Sequence, residues 1–124
     1  MNTEEVATKL VELCRKGEWR KALDLYSNDI VSVEARDMEN MPAEMRGIDQ
    51  VRGKTDWWEN NMEVHNAKVT GPFVARDTFV VQFDIDATEK ASGKRMPLSE
   101  VGIYKVKDSK VAREEFLPLA QKKE

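Results

Sequence analysis

Apolar positions recur at helical spacing near the start of the chain. Between residues 3 and 15 an apolar residue returns every three or four positions, which predicts an amphipathic helix. Its apolar stripe consists of Val6, Leu10, Leu13 and Cys14. Asn2 and Glu5 have the spacing of a capping box, and Gly17 can end the helix. A second short helix is predicted next, with an apolar face made of Trp19, Ala22, Leu23 and Tyr26.

A strand, a polar segment and a third helix are predicted after this hairpin. The β-branched residues of 30–35 favour a strand. The polar segment 36–46 contains Pro42 and is predicted to be a loop, with a lid as the alternative. A third helix is predicted from about Gly47 to Asn61. Its apolar face consists of Ile48, Val51, Trp58 and Met62.

The second half of the chain alternates apolar and polar residues, which is typical of strands. Four strands are predicted, at 65–71, 77–88, 98–107 and 110–117, and Pro72 should break or bend the first. The strongest alternation lies in the second of them, where the apolar positions are Phe79, Val81, Phe83 and Ile85. Helices on one side of a mostly antiparallel sheet define the α+β class.

Length and composition limit the number of domains and the compartment. The 124 residues predict a single domain over 1–124, with 118–124 as a frayed tail. Hydrophobic residues make up 40% and charged residues 35%, a balance typical of soluble globular proteins. No apolar run approaches the roughly 20 residues that cross a bilayer, so no membrane partner is expected. The single cysteine fits a reducing compartment, and we predict a cytoplasmic protein.

Several kinds of chemistry are disfavoured by the residues present. The net charge of −3 argues against nucleic acid as a partner. One histidine and one cysteine cannot form a His/Cys metal cluster within one chain. Gly53-Lys54-Thr55 looks like the end of a phosphate loop, but the preceding glycine, Gly47, is one position out of place. We therefore expect neither a metal nor a nucleotide cofactor.

The stretch from Leu25 to Glu34, with the sequence LYSNDIVSVE, resembles a known family. A Leu-Tyr-x-x-Asp run entering a strand that ends in an acid is similar to ketosteroid isomerase and to SnoaL-like polyketide cyclases, members of the nuclear-transport-factor-two-like superfamily. The helix with Val51 and Trp58, and the closing segment from Glu100 to Phe116, resemble the same family. The resemblance implies a cone, in which a strongly curved sheet wraps around three helices and an apolar pocket opens at the wide end.

The resemblance also implies catalytic residues. Glu34 falls where ketosteroid isomerase has its general base, and Glu100 falls near the carboxylic acid of that enzyme's oxyanion hole. The tyrosine that completes this hole is replaced by Leu10. His65 titrates near neutral pH and could pair with an inward carboxylate. We take Glu34, Glu100 and His65 as catalytic candidates, with solvated or structural polar residues as the alternative for each. If both glutamates enter an apolar pocket, burial and mutual repulsion should raise the pKa of at least one.

Aromatic residues are the candidates for the pocket wall. The ligand-binding candidates are Trp19, Tyr26, Trp57, Trp58, Tyr104 and Phe116. Ordinary core packing explains their spacing equally well. Trp57 lies about 100° around the helix from Trp58, which makes it a candidate for a pocket or an interface.

These residues predict a small domain that binds a small apolar carbonyl compound and isomerises or cyclises it by proton transfer, without a cofactor. The alternative is a non-catalytic dimeric module that binds a ligand or has a structural role. A homodimer is expected because the second face of the sheet also carries apolar residues, among them Val80, Val101 and Ile103.

Overall fold

The structure, a computed structural model, describes residues 1–38 and 41–120. Within them the helices are α1 (Thr3–Arg15), α2 (Trp19–Ala22), which continues into a single 3₁₀ turn (Leu23–Leu25), and α3 (Ile48–Asn61). The strands are β1 (Tyr26–Val33), β2 (Glu44–Arg46), β3 (Met62–Ala75), β4 (Thr78–Glu89), β5 (Arg95–Lys107) and β6 (Lys110–Pro118). The three predicted helices are therefore present, and the described residues include one strand more than the pattern predicted.

The strands form one mixed sheet in the order β2-β1-β6-β5-β4-β3. The pair β1–β6 is parallel, and the other four pairs are antiparallel. The sheet is curved and unclosed, with β2 and β3 at its edges, and the helices pack on its inner face. The predicted α+β cone is confirmed.

Helix α1 begins as its sequence predicts. The Asn2 side chain accepts a hydrogen bond from the Glu5 amide at 2.8 Å, and the Glu5 carboxylate accepts one from the Asn2 amide at 3.1 Å. This reciprocal pair satisfies two of the amides that a helix start leaves free. Val6 and Leu10 of the stripe are buried in the same core cluster as Phe79 and Val81 of β4, so the predicted packing of α1 on the sheet is confirmed.

Several element boundaries differ from the prediction: β1 spans 26–33 rather than 30–35, and β3 and β5 each begin three residues earlier than expected. Tyr26 is the first residue of β1 rather than part of the second helix, because the chain leaves the 3₁₀ turn there and pairs with Val111 of β6. Pro72 does not end β3, which continues to Ala75 across a register shift between Thr70 and Phe73. β3 is an edge strand, where a residue without an amide hydrogen is tolerated.

The segments predicted as loop and tail also contain ordered pairing. Segment 36–46 includes β2 and a bridge between Met38 and Met41, while 39–40 lie outside the described residues. Pro118 belongs to β6, and the amide of Leu119 donates to the Ser99 carbonyl at 2.9 Å. The predicted frayed tail is thus wrong for its first two residues, and 121–124 lie outside the described part of the chain.

Aromatic stacking and one glycine define the floor of the inner face. The Phe79 and Tyr104 rings are stacked, with centroids 4.7 Å apart and planes at 8°. The Tyr104 ring lies over Gly102, two residues earlier on the same face of β5. A Cβ atom at position 102 would lie 2.8 Å from a ring carbon of Tyr104, which is too close for any side chain. The Tyr104 ring can take this position only because residue 102 is a glycine.

The outer face of the sheet bears on the homodimer prediction. Val80, Val101 and Ile103 are half-buried in the single chain, and Phe73 and Leu117 are exposed. The homodimer stays a prediction. Among the described residues, no helix is both long enough and apolar enough to cross a bilayer.

Candidate functional site

A cavity of about 160 Å³ lies between the helices and the inner face of the sheet. Its wall is mostly apolar and carries six aromatic rings, those of Trp19, Tyr26, Trp58, Phe83, Tyr104 and Phe116. Four ionisable side chains that can carry a charge near neutral pH also reach it: Glu34, Lys54, Glu100 and Glu114. A dry cavity of about 150 Å³ in a protein core can hold a benzene ring, so this one matches a ligand about the size of one ring.

The structure brings most of the sequence candidates together at this cavity. Both acids, Glu34 and Glu100, line it. Among the aromatic candidates, the residues that line it are Trp19, Tyr26, Trp58, Tyr104 and Phe116. Glu34 follows the last residue of β1, and Glu100 shares the inner face of β5 with Gly102 and Tyr104.

Two candidates lie elsewhere, and their assignment to the pocket is corrected. His65 is on the edge strand β3 and is exposed, and its Nε2 lies 2.7 Å from the Thr88 hydroxyl of β4. It is therefore not available to a group bound in the cavity. Trp57 is half-buried against the core but does not line the cavity, because successive residues of α3 point about 100° apart and Trp58 takes the inward direction.

Lys54 is a site residue that sequence reasoning missed. Its Nζ lies 2.6 Å from the Ser32 hydroxyl, 3.3 Å from a Glu34 oxygen and 3.3 Å from a Glu114 oxygen. The side chain is only 17% exposed. The available signal was its position on α3 between Val51 and Trp58, where a lysine interrupts the apolar face of the helix.

Glu114 of β6 is the second residue missed. It is only 2% exposed, and both of its oxygens have partners. One accepts a hydrogen bond from the Tyr26 hydroxyl, and the other accepts one from the Ser32 hydroxyl at 2.6 Å and contacts Lys54. A buried carboxylate is tolerated when it is paired and hydrogen-bonded, as here. The signal was an acid between Ala112 and Phe116 on one face of the strand.

Glu100 has a different environment from the other two acids. Burial and, next, the nearby charge of Glu34 raise its pKa from the usual 4.5 to about 7, although Lys54 acts in the opposite direction. Among the described residues none donates a hydrogen bond to its carboxyl group. The predicted rise in the pKa of at least one acid is confirmed for Glu100, which can therefore be a neutral hydrogen-bond donor near pH 7.

Other titratable groups at the cavity are held neutral. Burial and, next, the charge of Glu114 raise the pKa of Tyr26 and of Tyr104. The same two causes raise the pKa of Cys14 to about 12, so it stays a thiol. Among the described residues, no group of His, Cys, Asp and Glu side chains is arranged to hold a metal ion. The site thus offers a carboxylate next to an ammonium, and a separate carboxylic acid.

Replacing Glu100 with Gln should stabilise the protein in a pH-dependent way. Because the folded state raises the pKa of Glu100 above its usual value, the folded protein holds a proton that the unfolded chain releases. Wild-type stability is therefore lost as pH rises from about 4.5 through about 7. In urea unfolding we expect Glu100→Gln to gain up to about 3 kcal/mol at high pH and little at low pH. An equal change in unfolding free energy at both pH values would contradict this account of Glu100.

Comparison with known families agrees with this geometry. The model of the SnoaL-like domain matches residues 1–117. The chain belongs to the SnoaL-like domain family. No protein with a curated description matches it significantly.

Solved structures support the SnoaL-like assignment. A proposed SnoaL-like polyketide cyclase from Mesorhizobium loti, also labelled a carbohydrate phosphatase, is 39% identical and superposes with a TM-score of 0.87, covering 94% of this chain and 99% of that one. A proposed isomerase from Bacillus subtilis is 16% identical, with a TM-score of 0.75 over 96% and 90% of the two chains. An NTF2-like protein from Burkholderia pseudomallei is 13% identical, with a TM-score of 0.79 over 95% and 91%. The last two similarities show the fold alone.

Proposed function

We propose that this SnoaL-like chain binds a neutral carbonyl compound of about one ring in size and transfers a proton next to the carbonyl group. The observation that carries the proposal is that Glu34 and Glu100 reach one aromatic cavity in different environments, Glu34 beside an ammonium and Glu100 without a cation. Two groups of like type with different protonation can divide the roles of base and acid.

The reaction begins with proton removal by Glu34. A carboxylate oxygen of Glu34 takes the proton from the carbon next to the carbonyl, and the electron pair of that C–H bond forms a carbon–carbon double bond. The carbonyl π electrons move to the oxygen, which accepts a hydrogen bond from protonated Glu100. In an isomerisation, a neighbouring carbon–carbon double bond of the substrate extends the enolate to a dienolate. Glu34 returns the proton to the far carbon of this dienolate, the carbonyl group re-forms and the double bond moves by one position, so the step needs no cofactor.

The cyclisation variant uses the same enolate. Its carbon attacks a second carbonyl group of the same molecule, a carbon–carbon bond forms while the first carbonyl group re-forms, and the new alkoxide takes the proton that Glu34 removed. The aromatic wall favours either reaction because electrostatic interactions are stronger where water is excluded. The name of the Mesorhizobium protein, a polyketide cyclase, is consistent with the cyclisation.

The charge of the site favours a neutral ligand. Lys54 supplies one positive charge, against the carboxyl groups of Glu34 and Glu114 that contact it. A ligand with its own carboxylate would add repulsion in a site of low polarity.

A second candidate function is ligand binding without turnover. The Tyr26 hydroxyl already donates to Glu114, so it is not free for a carbonyl oxygen. Leu10 is buried in the core and offers no hydroxyl either. A site that lacks one oxyanion donor typically loses about a hundredfold or more in rate.

Cyclohexanone in heavy water tests both candidates. We expect the purified protein to accelerate exchange of the protons next to the carbonyl, measured by NMR, and to show shifted indole signals of Trp19 and Trp58. Trp57 is the internal control, because it lies next to Trp58 on α3 but does not line the cavity, so its indole signal should not shift. The charged control ligand, cyclohexanone with a carboxylate opposite the carbonyl, should bind several-fold more weakly. Indole shifts without exchange would favour ligand binding without turnover. If neither indole shifts nor exchange were observed, both candidate functions would be contradicted.

A further inference from the structure

Lys54 is in direct contact with the base of the proposed reaction. Resting on the proposed function, we infer that Lys54 is a positioning residue, whose ammonium fixes the Glu34 carboxylate at the cavity wall and separates its role from that of Glu100. Nothing in the family resemblance indicates this residue. The inference stands on the contacts that surround its Nζ atom.

The Lys54 ammonium is fully engaged. It has three hydrogens to donate, and three acceptors surround it: the Ser32 hydroxyl at 2.6 Å, and one oxygen each of Glu34 and Glu114 at 3.3 Å. The Phe116 ring covers it, with the centroid 4.9 Å from Nζ. Helix α3 supplies the lysine, the end of β1 supplies Glu34, and β6 supplies Glu114. A side chain held from so many directions has little freedom to move, and it restrains Glu34 in turn.

The contacts of Lys54 treat the two cavity acids differently. Its Nζ forms ion pairs with Glu34 and Glu114, and no ion pair or hydrogen bond links it to Glu100 among the described residues. Glu34 is therefore fixed beside a cation, whereas Glu100 is not. The same charge still acts on Glu100 through space, where it lowers a pKa that burial and the other two acids raise.

Other titratable groups reach the cavity from three elements. Besides Glu34, Lys54, Glu100 and Glu114, the titratable groups that face it are Cys14 from α1, Tyr26 from β1 and Tyr104 from β5. All three are held in their neutral forms by burial. The side chains that β4 presents to the cavity, Phe83 and Ile85, do not titrate. Lys54 is thus the one cation among the described residues that line the cavity.

A purely structural role for Lys54 would be to neutralise buried Glu114. That role predicts lower stability in a variant without the lysine and, because the lysine charge acts on Glu100 through space, a displaced pH profile, but no change in the maximal rate. Positioning of Glu34 predicts in addition a lower maximal rate and a more mobile Glu34 side chain. The two roles are therefore separable by the maximal rate and by the mobility of Glu34.

The test compares Lys54→Met with wild type in the cyclohexanone exchange assay. We expect the maximal exchange rate to fall about 10- to 100-fold, because the base loses its anchor. We also expect the alkaline limb of the pH profile, which reports loss of the Glu100 proton, to move to higher pH, because a cation that lowers the pKa of Glu100 is gone. Lys54→Arg should restore the limb, and Arg52→Met on the exposed face of α3 should change neither quantity.

A second measurement is independent of activity. NMR relaxation of the side-chain methylene groups in ligand-free protein should show a more mobile Glu34 in Lys54→Met than in wild type, whereas Arg52→Met should leave Glu34 unchanged. If Lys54→Met does not fold, Lys54→Gln keeps a donor to Ser32 and Glu114 without the charge and should show the same gain in Glu34 mobility. A Glu34 side chain as rigid as in wild type, or an unchanged maximal rate in an active variant, would overturn the inference. Absence of exchange in wild type would overturn the proposed function, while the mobility of Glu34 would still decide the inference.

Discussion

Glu34→Gln should lower the rate of proton exchange from cyclohexanone by about 100- to 10,000-fold, the usual contribution of a general base. The amide keeps the shape of the side chain and an oxygen that can accept the Lys54 hydrogen bond, but it cannot accept a proton from carbon. Binding should therefore persist, with the indole signal of Trp58 still shifting on addition of cyclohexanone. Exchange is measured by NMR at saturating ligand.

The control for this prediction is Glu44→Gln, which changes an exposed acid of β2 and should leave the rate unchanged. An independent signature is the pKa of Glu100, which should fall in Glu34→Gln because the charge of Glu34 helps to raise it. A variant that still exchanges protons at the wild-type rate would show that another group is the base.

Phe79→Ala should reduce the free energy of unfolding by about 3–5 kcal/mol, the typical cost of deleting a large buried aromatic side chain. Phe79 is fully buried on β4 between α1 and β5, and its ring stacks on Tyr104 at 4.7 Å. Truncation removes that stacking and leaves a hole that the stiff sheet can only partly close. Urea unfolding at fixed protein concentration measures the change.

Phe73→Ala is the matched control, because the same truncation is made on the edge strand β3 at a side chain that is 60% exposed. It should cost less than about 0.5 kcal/mol. A loss below about 1 kcal/mol for Phe79→Ala would mean that the inner face of β4 is packed much more loosely than the burial indicates.

Local patterns predicted most of the fold, because helix and strand periodicities extend over many residues. The stripe of α1 and the alternation of β4 each contain four or more apolar positions, and both are where they were expected. The errors fall where few residues carry the signal. Helix α2 has only four residues, and Tyr26 fits a continuation of its apolar face as well as it fits the start of a strand. Its pairing with Val111 of the distant strand β6 decides the outcome.

The site was predictable only in part, because its polar contacts join residues far apart in sequence. The resemblance identified Glu34 and Glu100, which the structure places at the cavity. Lys54 contacts residues 20 and 60 positions away, and no local pattern connects them. Side-chain chemistry alone suggests His65 as a candidate, because the sequence does not show that its strand lies at the edge of the sheet.

The close approach of Tyr104 to Gly102 couples the sizes of two neighbouring positions in the cavity floor. The tyrosine ring fills the space that any side chain at 102 would need, with its hydroxyl oxygen 3.0 Å from where a Cβ would lie. In related sequences a larger residue at 102 should therefore accompany a smaller one at 104. For engineering, this pair offers a way to reshape the cavity floor beside Glu100. Replacing Tyr104 with a smaller residue deepens the cavity. Replacing Gly102 with a larger residue afterwards moves the floor toward the Glu100 carboxyl group without changing the helices above.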